Sequence, residues 1–278
     1  NAAPSSALSV QVPVQVPDAG GIEFADHGDG FADVVVGAPF QDGTSTDEGA
    51  AFVYLGSAAG PATTPSVSLD DPTHQAGALF GGSVATAGDI NVNGYSELLV
   101  GAPAQANPTP GEGNVFVYYG NVAGVPTTPS GTFDNPDAQA GNFGFAAASL
   151  GDVNGDVNPD VGFGAPFQDN GSVNEGNAFV FHGCYCGVIR TSPVTTTLDN
   201  PDGEVNGWFA MNLSGAGDVN ADGFADLVVG AQAQDGAATN EGMVFVYHGS
   251  AAGLPTTPTL RLADPGDEAG AFFGAWVE

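Results

Sequence analysis

The sequence has no lysine, and its only two basic residues are Arg190 and Arg261, set against 32 Asp and Glu. Without lysine there is no Schiff-base chemistry and no lysine isopeptide cross-link. A formal net charge of −30 excludes nucleic acid, phosphate-rich ligands and anionic membranes as natural partners, because each carries the same sign. It also makes the folded chain repel itself unless cations bind. Cysteine is scarce too. Cys184 and Cys186 stand in Gly183-Cys184-Tyr185-Cys186-Gly187, too few ligands for a metal site and wrongly spaced for a C-x-x-C redox pair. A tight local disulfide is the expected state in an export compartment; an intermolecular bridge and two free thiols stay open. No apolar run reaches 18 residues, so no helical membrane span is expected. No segment holds a 3.6-residue apolar period, so no helix of consequence is expected. The chain begins at Asn1, which fits an exported precursor trimmed at its N-terminus.

What is abundant is turn chemistry. Gly (43) and Pro (20) exceed a fifth of the chain without a three-residue period, which suits many short strands joined by tight turns. A long internal repeat organises them. Gly-Ala-Pro stands at Gly37, Gly101 and Gly164, and Gly-Ala-Gln at Gly230. An apolar strand precedes each copy. A Gln follows it (Gln41, Gln105, Gln168, Gln234), then a Glu-Gly pair seven residues on (Glu48, Glu112, Glu175, Glu241), then a second apolar strand. The constant gap predicts one loop geometry in all four copies. A Pro/Thr-rich stretch leads to a third short strand ending at Pro72, Pro136, Pro201 and Pro265. An aromatic step then opens a further strand at Phe80-Gly81, Phe143-Gly144, Phe209-Ala210 and Phe273-Gly274.

Phe-Gly followed some twenty residues later by Gly-Ala-Pro, with an acidic loop between, resembles the FG-GAP repeat of integrin α-subunit propellers and of many bacterial exported proteins. The resemblance covers about residues 20–278. It implies an all-β fold, a β-propeller-like array of four FG-GAP blades with about four antiparallel strands each and calcium loops. Residues 1–19 read as a separate extended segment, and residues 20–278 as the four-repeat domain.

The acidic loops carry the chemistry. The fourth copy offers oxygens at positions 1, 3, 5 and 9 as Asp218, Asn220, Asp222 and Asp226, with Gly223 at position 6 and the carbonyl of Phe224 at position 7. Ca²⁺ takes six to eight such hard oxygens. The third copy matches with Asp152, Asn154, Asp156, Asn158 (carbonyl) and Asp160, but has Val157 in place of glycine. The second has Asp89, Asn91, Asn93, Tyr95 (carbonyl) and Glu97, with a lower charge. The first is damaged: Asp33 and Asp29 align, His27 precedes them, and Ala25 replaces the first Asp. Three good calcium sites are expected, and one doubtful site at Asp29 and Asp33. Ordinary Asp/Asn turns are the alternative for any of them. The loop is not an EF-hand, since position 12 from Asp218 is Val229.

The ends differ from the interior. Leu8 to Val16 alternate apolar and polar residues, a strand outside the four copies. It suits either the sheet edge of another subunit or a cap on its own fourth blade. The C-terminus stops just after Phe273-Gly274-Ala275-Trp276. The two ends together complete one blade within a chain, or complete a blade between neighbouring chains to give a filament; a longer array is a third possibility.

No nucleophile elbow, phosphate-cradling loop or His-rich metal box occurs. His182 and His248 share a repeat position that holds Leu55 and Tyr119 elsewhere, which fits strand-end packing. A glycosidase-type carboxylate pair is the residual enzymatic reading. Asn170-Gly-Ser172 and Asn212-Leu-Ser214 are sequons that matter only in a glycosylating cell. The sequence thus points to a secreted or surface-exposed, calcium-binding structural or adhesive protein without enzymatic activity. Its expected partners are itself or an extracellular protein or glycan. A monomeric lectin-like or integrin-like binding module, using aromatics such as Tyr95, Trp208 and Trp276, is the alternative.

Overall fold

In a computed structural model the described residues are 10–11, 31–183 and 195–278. Cys184 and Cys186, together with Asp29, His27 and Ala25, lie outside them. The described residues form sixteen β-strands and no helix, in four antiparallel four-stranded sheets. Blade 1 holds β1 (Val10–Gln11), β2 (Val34–Ala38), β3 (Ala50–Tyr54) and β4 (Val67–Asp70). Blade 2 holds β5 (Ser83–Gly88), β6 (Glu97–Ala102), β7 (Asn114–Tyr118) and β8 (Gly131–Asp134). Blade 3 holds β9 (Ala146–Gly151), β10 (Asp160–Ala165), β11 (Asn177–Phe181) and β12 (Thr196–Asp199). Blade 4 holds β13 (Phe209–Gly217), β14 (Asp226–Ala231), β15 (Met243–Tyr247) and β16 (Leu260–Ala263).

Each sheet runs in chain order, so every connection joins neighbouring antiparallel strands. The strand that follows Phe-Gly pairs with the Gly-Ala-Pro strand after it, as β5 does with β6 through Ser83↔Gly101 and Val84↔Val100. It is therefore the innermost strand of the next blade, and repeat and blade are offset by one strand. In blade 1 that innermost place goes to β1, with Val10↔Val36 and Gln11↔Val35 in register. The N-terminal strand thus joins its own first blade. This differs from the expected cap on blade 4: the missing Phe-Gly strand leaves β2 with an open edge, which β1 pairs.

Both faces of each blade are apolar, and successive blades pack face to face. The leading face of a blade, turned toward the preceding blade, carries large residues: Leu98, Val100, Phe116 and Tyr118 in blade 2 are nearly solvent-free. They meet the trailing face of blade 1, built from Val35, Ala51, Val53 and Leu69. Blades 2 and 3 share a second such core, with Val115, Val117 and Phe133 against Phe163, Phe179 and Phe181. Blades 3 and 4 share a third, with Ala178, Val180 and Leu198 against Leu227, Val229, Phe245 and Tyr247. Fully burying one such side chain is worth about 1.5–3 kcal/mol, so blade contact is the main source of order.

The Phe-Gly step forms the seam between blades. The Phe80 N–H donates to the Glu48 carbonyl of the preceding blade (2.9 Å), as Phe143 does to Glu112 (3.0 Å) and Phe209 to Glu175 (2.9 Å). The Gly81 N–H donates forward to the Gly101 carbonyl of the following blade (2.9 Å), and Gly144 does so to Gly164 (3.0 Å). The step lies so close that a Cβ on Gly49 would stand 2.1 Å from the Phe80 carbonyl oxygen, and one on Gly37 2.1 Å from that of Gly81. Glycine is needed there because two backbones meet without room for a side chain. The seven-residue Gln-to-Glu loop closes with the same hydrogen bond in all four copies. The Gly N–H after each Glu returns to the Gln carbonyl at 3.0, 2.9, 3.1 and 3.0 Å in copies one to four.

Candidate functional site

Each complete acidic loop begins where the innermost strand ends at a left-handed glycine, Gly88, Gly151 or Gly217. In all three blades the sheet register shifts just before that glycine, where one residue of the innermost strand, Ala87, Leu150 or Ala216, is left without a partner. A bulge of this kind turns the chain out of the sheet. The next nine residues fold the same way in three blades. The first-position carboxylate accepts the N–H groups of positions 5 and 6. Asp218 takes Asp222 (3.0 Å) and Gly223 (2.8 Å), and Asp89 takes Asn93 (2.9 Å) and Gly94 (2.8 Å). Asp152 takes Asp156 (3.1 Å) and Val157 (2.8 Å). The fifth-position side chain accepts the N–H of position 7: Asp222 from Phe224 (3.0 Å), Asp156 from Asn158 (2.9 Å) and Asn93 from Tyr95 (2.8 Å). The third-position oxygen joins them in two loops, where Asn220 and Asn154 also accept the N–H of Asp222 (2.9 Å) and Asp156 (2.8 Å). Oxygens of positions 1 and 3 thus share one donor and lie side by side.

This packing requires left-handed backbone at positions 4 and 6. Position 4 is Val92, Gly155 or Ala221 (φ 58°, 80° and 60°), and position 6 is Gly94, Val157 or Gly223 (φ 91°, 68° and 94°). The third copy carries its glycine at position 4 and forces the β-branched Val157, 82% exposed, into the left-handed region. Gly155 has its own reason: a Cβ there would stand 2.6 Å from the Phe224 ring of the next loop. The loops of blades 3 and 4 are also tied by Ala225 N–H to the Asp152 carbonyl (2.9 Å) and Ser250 N–H to the Val153 carbonyl (3.0 Å).

The ninth-position acids have a role that the sequence reading missed. Asp226 is fully buried and accepts Val219 N–H at one oxygen (2.9 Å) and Gly249 N–H at the other (2.9 Å). Asp160 does the same with Val153 (2.9 Å) and Gly183 (2.8 Å). Glu97 accepts Ile90 N–H (2.8 Å) and the Asn91 side-chain amide (2.7 Å). Asp33, in the damaged copy, keeps the Gly56 N–H (2.8 Å). In copies 1, 3 and 4 the acid braces the loop against the end of the third strand. Burial pushes the Asp160 carboxyl up to about 7, with Asp156 and Asp152 adding to it. Burial, with the charge of Asp89, pushes Glu97 up to about 8. In both, the backbone hydrogen bonds pull the other way. The recurring glycine two residues past the third strand was the available signal for this brace.

Among the described residues no three His, Cys, Asp or Glu side chains gather into a cluster able to hold a metal. The loop oxygens are of mixed kind, with carboxylates, Asn side chains and a backbone carbonyl. That donor set fits a hard divalent cation. In the second loop Asn91 Oδ1 is buried with no hydrogen-bond partner, an acceptor without a proton to accept. Each ninth-position carboxylate has lone pairs beyond those its two N–H donors use. His182, half-buried, lies against Gly253 of blade 4, and burial lowers its pKa against the raising pull of Asp156 and Asp152.

The FG-GAP repeat matches residues 28–54, 80–118 and 210–247; the third blade has the same geometry outside these stretches. The chain is 34% identical over 158 residues to integrin alpha-3 of Cricetulus griseus, covering 56% of this chain and 14% of the relative. It is 37% identical over 162 residues to integrin alpha-7 of Homo sapiens, covering 55% and 12%. It is also 32% identical over 175 residues to phosphatidylinositol-glycan-specific phospholipase D of Mus musculus, covering 60% and 20%. The matches span at most a fifth of these relatives' own lengths. With its four sheets and its Phe-Gly seams, the chain carries FG-GAP repeats in a β-propeller-like array and is similar over these residues to the integrin α relatives.

Proposed function

We propose that this chain is an extracellular, non-enzymatic adhesive or structural module whose blades are stabilised by calcium at three loops. The observation that carries the reading is the shared fold of the three complete loops, in which the first-position carboxylate gathers the N–H groups of positions 5 and 6 and, in blades 3 and 4, the third-position oxygen lies beside it, in a chain of net charge −30. The ion would be held by Asp218, Asn220, Asp222, the Phe224 carbonyl and Asp226, and by their counterparts Asp152, Asn154, Asp156, Asn158 and Asp160. The second loop, Asp89, Asn91, Asn93, Tyr95 and Glu97, would hold it more weakly because it has fewer charges. Calcium supplies charge neutralisation there, and the protein groups supply preorganised oxygens. The blade 1 loop, with Asp33 kept as a brace, has no first-position Asp and is left without an ion. Integrin α relatives support the adhesive part of the reading, and the phospholipase relative gives the hydrolase reading its only support.

Thermal melting tests it. Calcium at a hundred times its dissociation constant adds about 2.7 kcal/mol per site to the folded state. Melting is therefore expected to fall by several degrees when EDTA replaces calcium. An unchanged melting temperature in excess EDTA contradicts the calcium reading.

A second reading, a binding module, is favoured by a cavity of about 580 Å³ on the inner side of the array. Val84, Phe145, Ala147, Leu213 and Trp276 are among its lining residues, and Trp276 is 68% exposed. A glycan array without binding counts against the lectin form of that reading.

A further inference from the structure

The amide side chains that bond across the blade seams carry no charge. At the seam of blades 1 and 2, Gln105 Nε2 donates to Thr73 Oγ1 (2.7 Å) and the Ala106 N–H to Gln75 Oε1 (2.9 Å). At the next seam Asn135 Nδ2 donates to Gln168 Oε1 (3.0 Å), and at the third Asn200 Nδ2 donates to Gln234 Oε1 (2.9 Å). Asn135, Gln168, Asn200 and Gln234 are buried, and the three apolar cores lie beside them. Neither neutral hydrogen bonds nor apolar packing weakens when salt screens charge.

The charges at two of these seams have one sign. Asp137, in the connection from blade 2, accepts Gln168 Nε2 of blade 3 (3.3 Å). Burial raises its carboxyl pKa, and the charge of Asp199 on blade 3 raises it further. At the third seam both oxygens of Glu204, in the connection from blade 3, accept the Asp235 N–H of blade 4 (2.9 Å each). Two acidic residues are thus in direct contact across the seam. Burial raises the Glu204 carboxyl as well; the Asp235 N–H opposes this, and the charges of Asp235 and Asp202 add to it. Asp137, Asp199, Asp202 and Asp235 are exposed, and Glu204 is half-buried. Compensation is scarce. Arg261 is the one Lys or Arg among the described residues, and it is bound to Asp202 (2.6 Å) and stacked on the Phe245 ring (5.4 Å). The other ion pair among them, His74 with Glu48 (3.7 Å), exists only when His74 is protonated.

In a chain with balanced charge, added salt screens attractive and repulsive pairs alike, and the two effects offset each other. Here the net charge is −30, and the pair of Arg261 and Asp202 is the main attraction to lose. Screening therefore removes repulsion almost alone. We infer that ionic strength gates the packing of blades 2, 3 and 4: at low salt, repulsion between Asp137 and Asp199 and between Glu204 and Asp235 loosens their seams, and molar monovalent salt closes them. The fold thus carries a salt-responsive device. It needs no ion bound at any one place and does not rest on the acidic loops holding calcium.

The test is thermal melting of the 278-residue chain by circular dichroism in excess EDTA. NaCl is stepped from about 0.05 M to about 1 M, over which the screening length falls from more than about 10 Å to about 3 Å. The melting temperature is expected to rise throughout, by at least about 5 °C in a chain of this size. Choline chloride is expected to match NaCl, because screening does not distinguish one monovalent cation from another. The double variant Glu204→Gln/Asp235→Asn keeps the acceptor oxygens and removes two seam charges. It is expected to melt above the wild type at low salt and to respond less to NaCl. The control Asp267→Asn/Glu268→Gln removes as many charges at exposed positions past β16, outside the three seams, and is expected to keep most of the wild-type salt response. Asp137→Asn repeats the design at the other seam should the first variant fail to fold. Three results overturn the inference: a wild-type melting temperature that stays flat or falls with NaCl, a rise that choline chloride does not reproduce, or a seam variant whose salt response equals that of the control.

Discussion

Asp226 accepts the N–H of Gly249 at 2.9 Å, joining the start of one strand of blade 4 to the turn after the next. Its other oxygen holds the second residue of its own acidic loop. The loop is thereby fixed at both ends by one buried carboxylate. Asp160 with Gly183 and Asp33 with Gly56 repeat the arrangement. Because Asp33 keeps it in a loop without the first-position Asp, the brace is separable from any metal.

Asp226→Ala therefore destabilises the chain even in excess chelator. The buried Gly249 N–H and the part-buried Val219 N–H lose their acceptor, the first at a cost of about 1–3 kcal/mol, so a loss of about 1–3 kcal/mol is expected in urea denaturation. A loss below about 0.5 kcal/mol would show that the carboxylate serves the metal alone.

Val157→Gly is expected to stabilise the third blade. A non-glycine residue in the left-handed region costs about 1–2 kcal/mol, and glycine gives back some of this through its freer unfolded chain. The net gain of about 0.5–1 kcal/mol corresponds to a melting rise of roughly 1–3 °C. A lower melting temperature would mean that the exposed valine makes a contact outside this chain.

Gly49→Ala tests the seam against a built-in control. At Gly49 (φ 89°) the new methyl would meet the Phe80 carbonyl oxygen at 2.1 Å, whereas at Gly60 (φ 99°) nothing lies within 4 Å. Both substitutions carry the left-handed penalty, but only the first must also push neighbouring blades away from each other. Gly60→Ala is expected to cost about 1 kcal/mol, and Gly49→Ala at least about 2 kcal/mol more. Equal costs would show that the Phe-Gly contact contributes little.

Much of this architecture was legible in the sequence, for a physical reason. Gly-Ala-Pro and Phe-Gly mark places where backbones touch, so Gly37 and Gly49 stand out without any structure. The constant gap from Gln41 to Glu48 is legible likewise, since one hydrogen bond closes each loop. What was not legible depends on what a blade packs against. Leu262 reads like Leu69, yet one is exposed and the other covered. The ninth-position acid reads as a ligand, but Gly249, the group it braces, is 23 residues away. Position 4 of the loops was missed because Val92 and Ala221 give no sign of a left-handed backbone. The pairing of β1 with β2 was missed because alternation predicts a strand and not its neighbour.

Calcium binding by equilibrium dialysis or calorimetry, on chelator-stripped protein, bears most directly on the proposed function. Three ions per chain are predicted, with the site at Asp89 weakest. Asp218→Ala and Asp152→Ala should each remove one ion while the four sheets persist by circular dichroism. Absence of saturable binding, or a stoichiometry unchanged in both variants, would contradict the account.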